Sequence, residues 1–373
     1  MRDLIIDRAE VYVVGPETPR YAWAAEMTEQ FMSNTILRLY TRDGLEGIAG
    51  AAMSTSHSFD LSVGDTLRYL LPEVIGRSAM EREALWQRLR SLNTPQVPQA
   101  HSLVDIALWD LAAKAAGMPL YRFLGGARDR ILSYASTPML PSADAYVDFV
   151  GELAGQGFKA IKYHCWCEIG RDIPMVRKVH ARHGGSGLKF MLDVEQRYNR
   201  EDALAAARAL DELGFTWFEA PLIDTDLQGY ADLRRRVDVP IIPGGNTVLD
   251  LAAIELGIRM GCWSAARVDA TIAGGITPTR KIMAVAEANG MTVELQCWGY
   301  TLTQAANLHL MLAYPNAGYF EQPSPYPAFE HGSIDVIRTD GEGYVHAPAG
   351  PGLGVRVDWP AVEAASLLRF EVR

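Results

Sequence analysis

Apolar and polar positions fall into two textures along this chain. In the first stretch, IIDRAEVYVV (5–14) and SNTILRLYTRDGLEGIAGAA (33–52) alternate with period two and are rich in β-branched residues. That is the pattern of half-buried strands. Asp43-Gly44, inside the second segment, is a hairpin turn signal. GPETPRYAWAAEMTEQF (15–31) lies between the two, carries Pro, Gly and several aromatics, and reads as a loop. From Met80 to Gly117 the period changes: Leu85, Leu89, Leu103, Ile106, Ala107 and Leu111 recur at helical spacing.

After about Arg128 the texture becomes a repeated strand–helix alternation. Short apolar strands stand at ILSYAS, AIKYHCW, KFMLDVE, TWFEAP, PIIPGG, AARVDA, TVELQC and GYFEQP. They recur at roughly 24–29 residues, near what one βα unit of a closed barrel requires. The first seven are each followed by a stretch able to form a helix. Asn199 caps one, with Glu201 and Asp202 in its first turn and Gly214 at its end. Thr277-Pro278 starts another, which Asn289-Gly290 ends. Eight such units favour a barrel, with an open doubly wound sheet as the competitor. The tail from about Tyr326, with DGEGYVHAPAGPGLGV, breaks the rhythm and is expected to return to the first part.

Length and charge narrow the function. With 373 residues, about two domains are expected. Hydrophobic residues make up 49% and charged residues 21%, which excludes disorder as the main state. The formal net charge of −10 argues against nucleic acid and anionic membranes as partners. No apolar run approaches a membrane span, and MRDLIIDRAEVYVV lacks a signal-peptide core. Four cysteines are too few for a disulfide scaffold, so they read as reduced thiols and a cytoplasmic location is expected. Cys165-x-Cys167 lacks a second Cys/His pair for structural zinc. GPGLG precedes no helix, and no GxSxG, HExxH or Walker sequence occurs.

In a (β/α)8 barrel the active site is built from the C-terminal ends of the strands, where residues i and i+2 share a face. The second strand ends with Lys162 and His164 on one face. A cationic lysine beside a histidine favours the neutral, basic imidazole. The third ends with Asp193 and Glu195, the fourth with Glu219, the sixth with Asp269, the seventh with Gln296 and Trp298, and the eighth with Glu321. Acids on neighbouring strands suit a hard divalent cation. The competing reading pairs those acids with arginines at the rim. Glu294 points inward and needs a partner that spacing does not name.

The segments DGLEGIAGA, AHSLVDIALWDLAAKAAGMPLYRFLGG, GFKAIKYH, LDVEQRYN, WFEAPL, AGGITPTRKIMAVAEANG, LHLMLAYPN and PAGPGLGV follow in order over nearly the whole chain. Together they resemble the mandelate racemase–like subgroup of the enolase superfamily. The resemblance implies an α/β fold: a modified TIM barrel, (β/α)7β, of residues 129–324, with an α+β capping domain of 1–128 plus 325–373. Loops around 15–30 and 54–59 are implied to close the pocket, with Tyr21, Trp23, His57 and, from the barrel, Trp298 as substrate-contact candidates. It implies removal of the proton beside a carboxylate, with the enediolate held by Mg²⁺. Asp193 and Glu219 match metal ligands, Lys162 and His164 the Lys-x-Lys pair, Asp269 the acid of an Asp–His dyad, and Glu321 the acid that hydrogen-bonds the enolate as a protonated donor.

Three departures shape the expected chemistry. Gly245 stands where the third metal-ligand glutamate belongs, leaving Asn246 or Glu195 to serve. Gln296 replaces the dyad histidine and takes no proton at neutral pH. His164 replaces a lysine. The expectation is a lyase that dehydrates a small hydroxy-carboxylic acid, an acid sugar, with His164 as base and a homo-oligomeric state. The alternatives are a racemase, epimerase or cycloisomerase, a non-catalytic relative, and a metal-independent enzyme.

Overall fold

The computed structural model describes residues 4–55, 57–92 and 97–373, with the backbone alone for Phe31, 53–55 and 57–60. The alternating segments form β1 (Ile6–Val14), β2 (Phe31–Thr41) and β3 (Glu46–Thr55). The β2–β3 hairpin pairs Tyr40 with Glu46 around the Asp43-Gly44 turn. β3 is followed by α1 (His57–Leu70), α2 (Arg82–Ser91), α3 (Pro98–Ala115) and α4 (Leu120–Leu124). The expected loop over 54–59 is a correction: β3 runs to Thr55 and a helix begins at His57. Val63, Leu67 and Leu70, spaced four and three residues apart, give that helix a fully buried stripe.

The second texture is the barrel. Its elements are β4 (Arg130–Thr137), α5 (Ala143–Gly155), β5 (Ala160–His164), α6 (Ile169–His183), β6 (Lys189–Asp193), α7 (Arg200–Leu213), β7 (Trp217–Glu219) and α8 (Leu227–Arg234). They continue with β8 (Ile241–Ile242), α9 (Leu251–Met260), β9 (Ala265–Val268), α10 (Ile276–Ala288), β10 (Thr292–Leu295), α11 (Thr301–Ala313) and β11 (Phe320–Pro323). Eight strands and seven intervening helices make a (β/α)7β barrel, not an open doubly wound sheet. β11 pairs in parallel with β4 and closes the ring on that side. The cap signals hold: Asn199 Oδ1 accepts the Glu201 and Asp202 N–H groups at 2.9 Å, and Gly214 ends α7 at φ 68°. The tail forms β12 (Tyr344–His346), α12 (Trp359–Ala364) and β13 (Ser366–Val372). β13 pairs antiparallel with β1, giving a four-stranded sheet β13-β1-β2-β3.

α3 joins these parts. Its buried Asp110 accepts N–H groups from Ile48 (2.8 Å) in β3 and Leu353 (2.7 Å) in the tail. Its buried Asp105 accepts the Thr277 N–H at the start of α10 (2.8 Å). Among the described residues no helix is long and apolar enough to cross a membrane, and all four cysteines are free thiols.

Candidate active site

Strand alternation stacks the barrel interior in layers. Tyr134, Ala160, Met191, Trp217, Ile242 and Ala265 form a buried apolar floor. Two residues further along their strands, toward the C-terminal mouth, stand Lys162 above Ala160, Asp193 above Met191, Glu219 above Trp217 and Arg267 above Ala265. Two further still come His164, Glu195 and Asp269. The floor therefore fixes the height of the polar layer, and the period of two aims it inward.

Lys162 is only 1% exposed and binds three acids. Its Nζ lies 2.8 Å from Asp193 Oδ2, 2.8 Å from Glu219 Oε1 and 3.1 Å from Glu321 Oε1. Arg267, also buried, reaches Glu219 Oε1 at 2.7 Å and both Glu321 oxygens at 3.2 Å. The arginine reading of the acid cluster is thus what the geometry shows for Glu219 and Glu321. Arg267 escaped the sequence reading, although alternation in AARVDA puts it on the same face as Asp269. Burial and the negative charges of Asp193 and Glu321 push the Glu219 carboxyl up against the pull of Arg267 and Lys162. For Asp193 and Glu321 the cations outweigh burial and hold the pKa down.

His164 Nδ1 lies 2.6 Å from the Thr137 carbonyl oxygen, which can only accept. Nε2 lies 3.2 Å from Asp193 Oδ2 and 3.1 Å from Glu195 Oε1. Both ring nitrogens face acceptors, so the ring is an imidazolium. Burial pulls its pKa down, but Asp193 and the hydrogen bonds to Asp193 and Glu195 outweigh burial and Lys162, raising it to about 10. This corrects the expectation of a neutral imidazole: the neighbouring acids decide, not the lysine. Glu321 corrects a second expectation. Its oxygens accept from Ser136 (3.0 Å), the Cys297 N–H (2.9 Å), Arg267 and Lys162, so it stands as an anion rather than a protonated donor.

The dyad positions do not meet as a pair. Asp269 Oδ1 accepts from the Thr271 N–H and hydroxyl (2.7 and 2.9 Å) and from Asn307 (2.7 Å). Burial raises its pKa to about 6 against those bonds. Gln296 donates instead to the Gly244 carbonyl. Asn246 is exposed at the cavity rim, with its N–H on Asp224 (3.1 Å). Glu294 finds its partners in the Gly318 and Tyr319 N–H groups (both 3.2 Å) at the approach to β11. Such a bond across strands cannot be read from spacing.

These groups open into a cavity of about 390 Å³ under Trp23, Met27 and Gln30 of the 15–30 loop. The Trp23 ring lies 5.3 Å from His164 and 4.6 Å, edge-on, from Trp298. Tyr21 backs Trp23 at 6.1 Å and is not part of the cavity wall. His57 falls in the first turn of α1, and its side chain lies outside the described residues. Gln99, at the start of α3, lines the cavity without having been singled out. A larger groove of about 990 Å³ runs between Ile48, Lys114 and the tail. Its cations are paired, Arg356 with Asp335, Arg338 with Glu330 and Lys114 with Asp110, so the converging chemistry is at the barrel mouth.

The donors for a divalent cation can be tested oxygen by oxygen. Asp193 Oδ1 accepts the Glu195 N–H (3.0 Å) while Oδ2 takes Lys162 and His164. Glu219 Oε1 takes Lys162 and Arg267, and Oε2 accepts Trp217 Nε1 (3.1 Å). Among the described residues one trio has metal-like spacing, His164, Asp193 and Glu195, with ligand atoms within 4.8 Å. Its histidine nitrogen points a proton at the two acids, whereas Mg²⁺ takes oxygen ligands. With glycine at 245 the β8 tip contributes no acid. In this arrangement the donor set does not fit a resident divalent ion.

A (β/α)7β barrel, a lid formed by an antiparallel capping sheet and its 15–30 loop, and acids with cations gathered at the strand tips define a capped-barrel protein with a polar internal site. Residues 8–125 match the model for the mandelate racemase / muconate lactonizing enzyme N-terminal domain, and residues 145–362 match the enolase C-terminal domain-like model. The chain belongs to the mandelate racemase/muconate lactonizing enzyme family of the enolase superfamily. It is 31% identical to a 3,6-anhydro-alpha-L-galactonate cycloisomerase from Streptomyces coelicolor, over 87% of this chain and 88% of that one. A solved protein from Pseudovibrio sp., assigned to the same family, superposes with TM-score 0.97 at 42% identity, covering 99% of both chains. A D-glucarate dehydratase from Agrobacterium tumefaciens, solved with magnesium, superposes with TM-score 0.87 at 28% identity, over 98% of this chain and 100% of that one.

Proposed function

We propose that this protein is a lyase that removes the α-proton of a small hydroxy-carboxylic acid, an acid sugar, and expels a hydroxyl from the neighbouring carbon. One observation carries the reading: Lys162 and His164 stand side by side on β5 at the wall of a cavity at the barrel mouth, beside acids from β6, β7 and β11. The acid-sugar class draws support from the dehydratase and cycloisomerase relatives.

His164 is the proton carrier. The Thr137 carbonyl fixes its ring through Nδ1, and Nε2 lies at the cavity wall. The ring rests as an imidazolium, so it acts as base only after its Nε2 proton passes to Glu195, 3.1 Å away; Nε2 then takes the α-proton and returns it to the departing hydroxyl, so water leaves from the same face. Lys162 places fixed positive charge beside the carboxylate on which negative charge grows, and such charge acts most strongly where it is already oriented. Trp23 and Trp298 wall off water above the ring.

A two-base racemase is the less supported reading, because Gln296 offers no proton acceptor at the dyad position. The test is hydrogen–deuterium exchange at the α-carbon across a panel of acid sugars in heavy water, read by NMR, with product analysis for dehydration. His164→Asn abolishes exchange if the reading is right. Exchange retained in that variant, or binding with no turnover by the wild type, overturns it.

A further inference from the structure

Lys162 stands between Asp193 and Glu219, where the resemblance leads one to look for an ion, and Arg267 shares Glu219 with it. We propose that the Arg267 guanidinium, together with Lys162, replaces the divalent cation in this site, so that the charge holding a substrate carboxylate and its enediolate is built into side chains. The role toward substrate rests on the enolising reading above; the replacement of the ion stands on the geometry of the nest alone.

Four observations carry it. First, a Cβ at Gly245 would fall 2.9 Å from Arg267 Cγ and 3.0 Å from its carbonyl oxygen. The turn at 245 thus packs directly on residue 267, backbone as well as stem, so no side chain at 245 fits in this arrangement. Second, Lys162 Nζ bridges Asp193 of β6 and Glu219 of β7 at 2.8 Å each, the two acids the resemblance gives to the ion, and Arg267 Nη2 joins Glu219 to Glu321 of β11 at 2.7 and 3.2 Å. Third, Arg267 lines the cavity, and its Nε–H is a buried donor with no partner in the protein. Its side chain is only 1% exposed, so it acts on a carboxylate in the cavity as a fixed, desolvated charge. Fourth, the charges balance. Neutral glycine in place of an acid and a guanidinium at 267 make the nest two units more positive than an acid at 245 with a neutral residue at 267. Two units is what a divalent ion brings.

A guanidinium differs from an ion in ways that can be measured. Its donors form a rigid planar fork suited to a carboxylate, and a chelator cannot remove it. The full-length protein, stripped with EDTA and dialysed, is titrated into Mn²⁺ while the free-ion EPR signal is recorded. The expected result is an undiminished signal at millimolar protein; uptake of one equivalent per chain overturns the proposal. In the exchange assay, wild-type rates are unchanged by EDTA, and loss on chelation with recovery on adding Mg²⁺ also overturns it. Arg267→Gln lowers exchange by about 10²–10³-fold, the effect of removing one oriented donor at a developing oxyanion, and Arg267→Lys retains part of the rate; exchange unchanged in Arg267→Gln is contrary. If no acid in the panel exchanges, the lyase reading fails, while the Mn²⁺ titration still decides this one.

Discussion

Gly245→Ala tests whether the turn after β8 and Arg267 are fitted to each other. Gly245 has φ 71°, in the left-handed region, where an alanine costs roughly 1–2 kcal/mol. The new methyl group would also stand 3.0 Å from the Arg267 carbonyl oxygen, 3.1 Å from its carbonyl carbon and 2.9 Å from Cγ. Two of these three atoms are backbone in a buried strand, so they cannot swing away. Nor can the turn withdraw, because Asp224 holds it through the N–H groups of Gly244 (2.7 Å), Asn246 (3.1 Å) and Thr247 (3.3 Å). Overpacking of this kind costs about 1–3 kcal/mol. The total expected is about 2–5 kcal/mol. Gly214→Ala is the control: φ is 68° there and nothing lies within 4 Å of the added carbon, so only the backbone part remains. Urea unfolding followed by tryptophan fluorescence gives both values. A Gly245→Ala loss no larger than that of Gly214→Ala would refute the fitted turn.

Two further outcomes concern burial. His309 is fully buried, accepting the Tyr121 N–H at Nδ1 (3.0 Å) and donating to the Leu353 carbonyl from Nε2 (3.1 Å); burial drops its pKa to about 4 from the ordinary 6.5 against the pull of the Leu353 bond. The unfolded chain binds the proton first, so this stability is fully present above pH 6.5 and is lost as pH falls toward 4, about 3 kcal/mol in all. His309→Gln does not titrate, so its stability gap to the wild type narrows between pH 7.5 and 4.5; a pH-independent gap contradicts the assignment. Lys162→Met leaves Asp193, Glu219 and Glu321 with one fewer cation and costs about 3–5 kcal/mol, seen as a fall in melting temperature that Glu219→Gln partly restores. An unchanged melting temperature is incompatible with the three ion pairs.

The architecture was legible because periodicity reports burial, and burial is what a barrel and its cap impose strand by strand. Eight apolar runs, the Asn199 cap and the Asp43-Gly44 hairpin each follow from local rules. α1 was less legible: its buried stripe of Val63, Leu67 and Leu70 is broken by Gly64 and Asp65, so its helical period is weak in a single sequence. In the site, alternation placed Lys162, His164, Asp193, Glu219 and Glu321 on inward faces. It does not say what balances them. Charge state depends on distances between strands far apart in the chain, and the His164 imidazolium is set by Asp193 and Glu195 across the β5–β6 pair.

The same limit explains how Gly245 and Arg267 escaped being read together. Alone, a glycine in the acid's place reads as loss of a metal ligand, and alone, an arginine two residues before Asp269 reads as a strand residue. They touch only because β8 and β9 are neighbours, joined by the Ser264 N–H to the Ile241 carbonyl (2.8 Å). Once they touch, the loss of one charge and the presence of another become a single change. A nest that had merely decayed would leave its acids uncompensated in the interior, which buried carboxylates do not tolerate. Here every oxygen of Asp193, Glu219 and Glu321 has a donor. Lys162 and Arg267, both buried among these acids, are therefore a built-in compensation and not the remnant of a lost site.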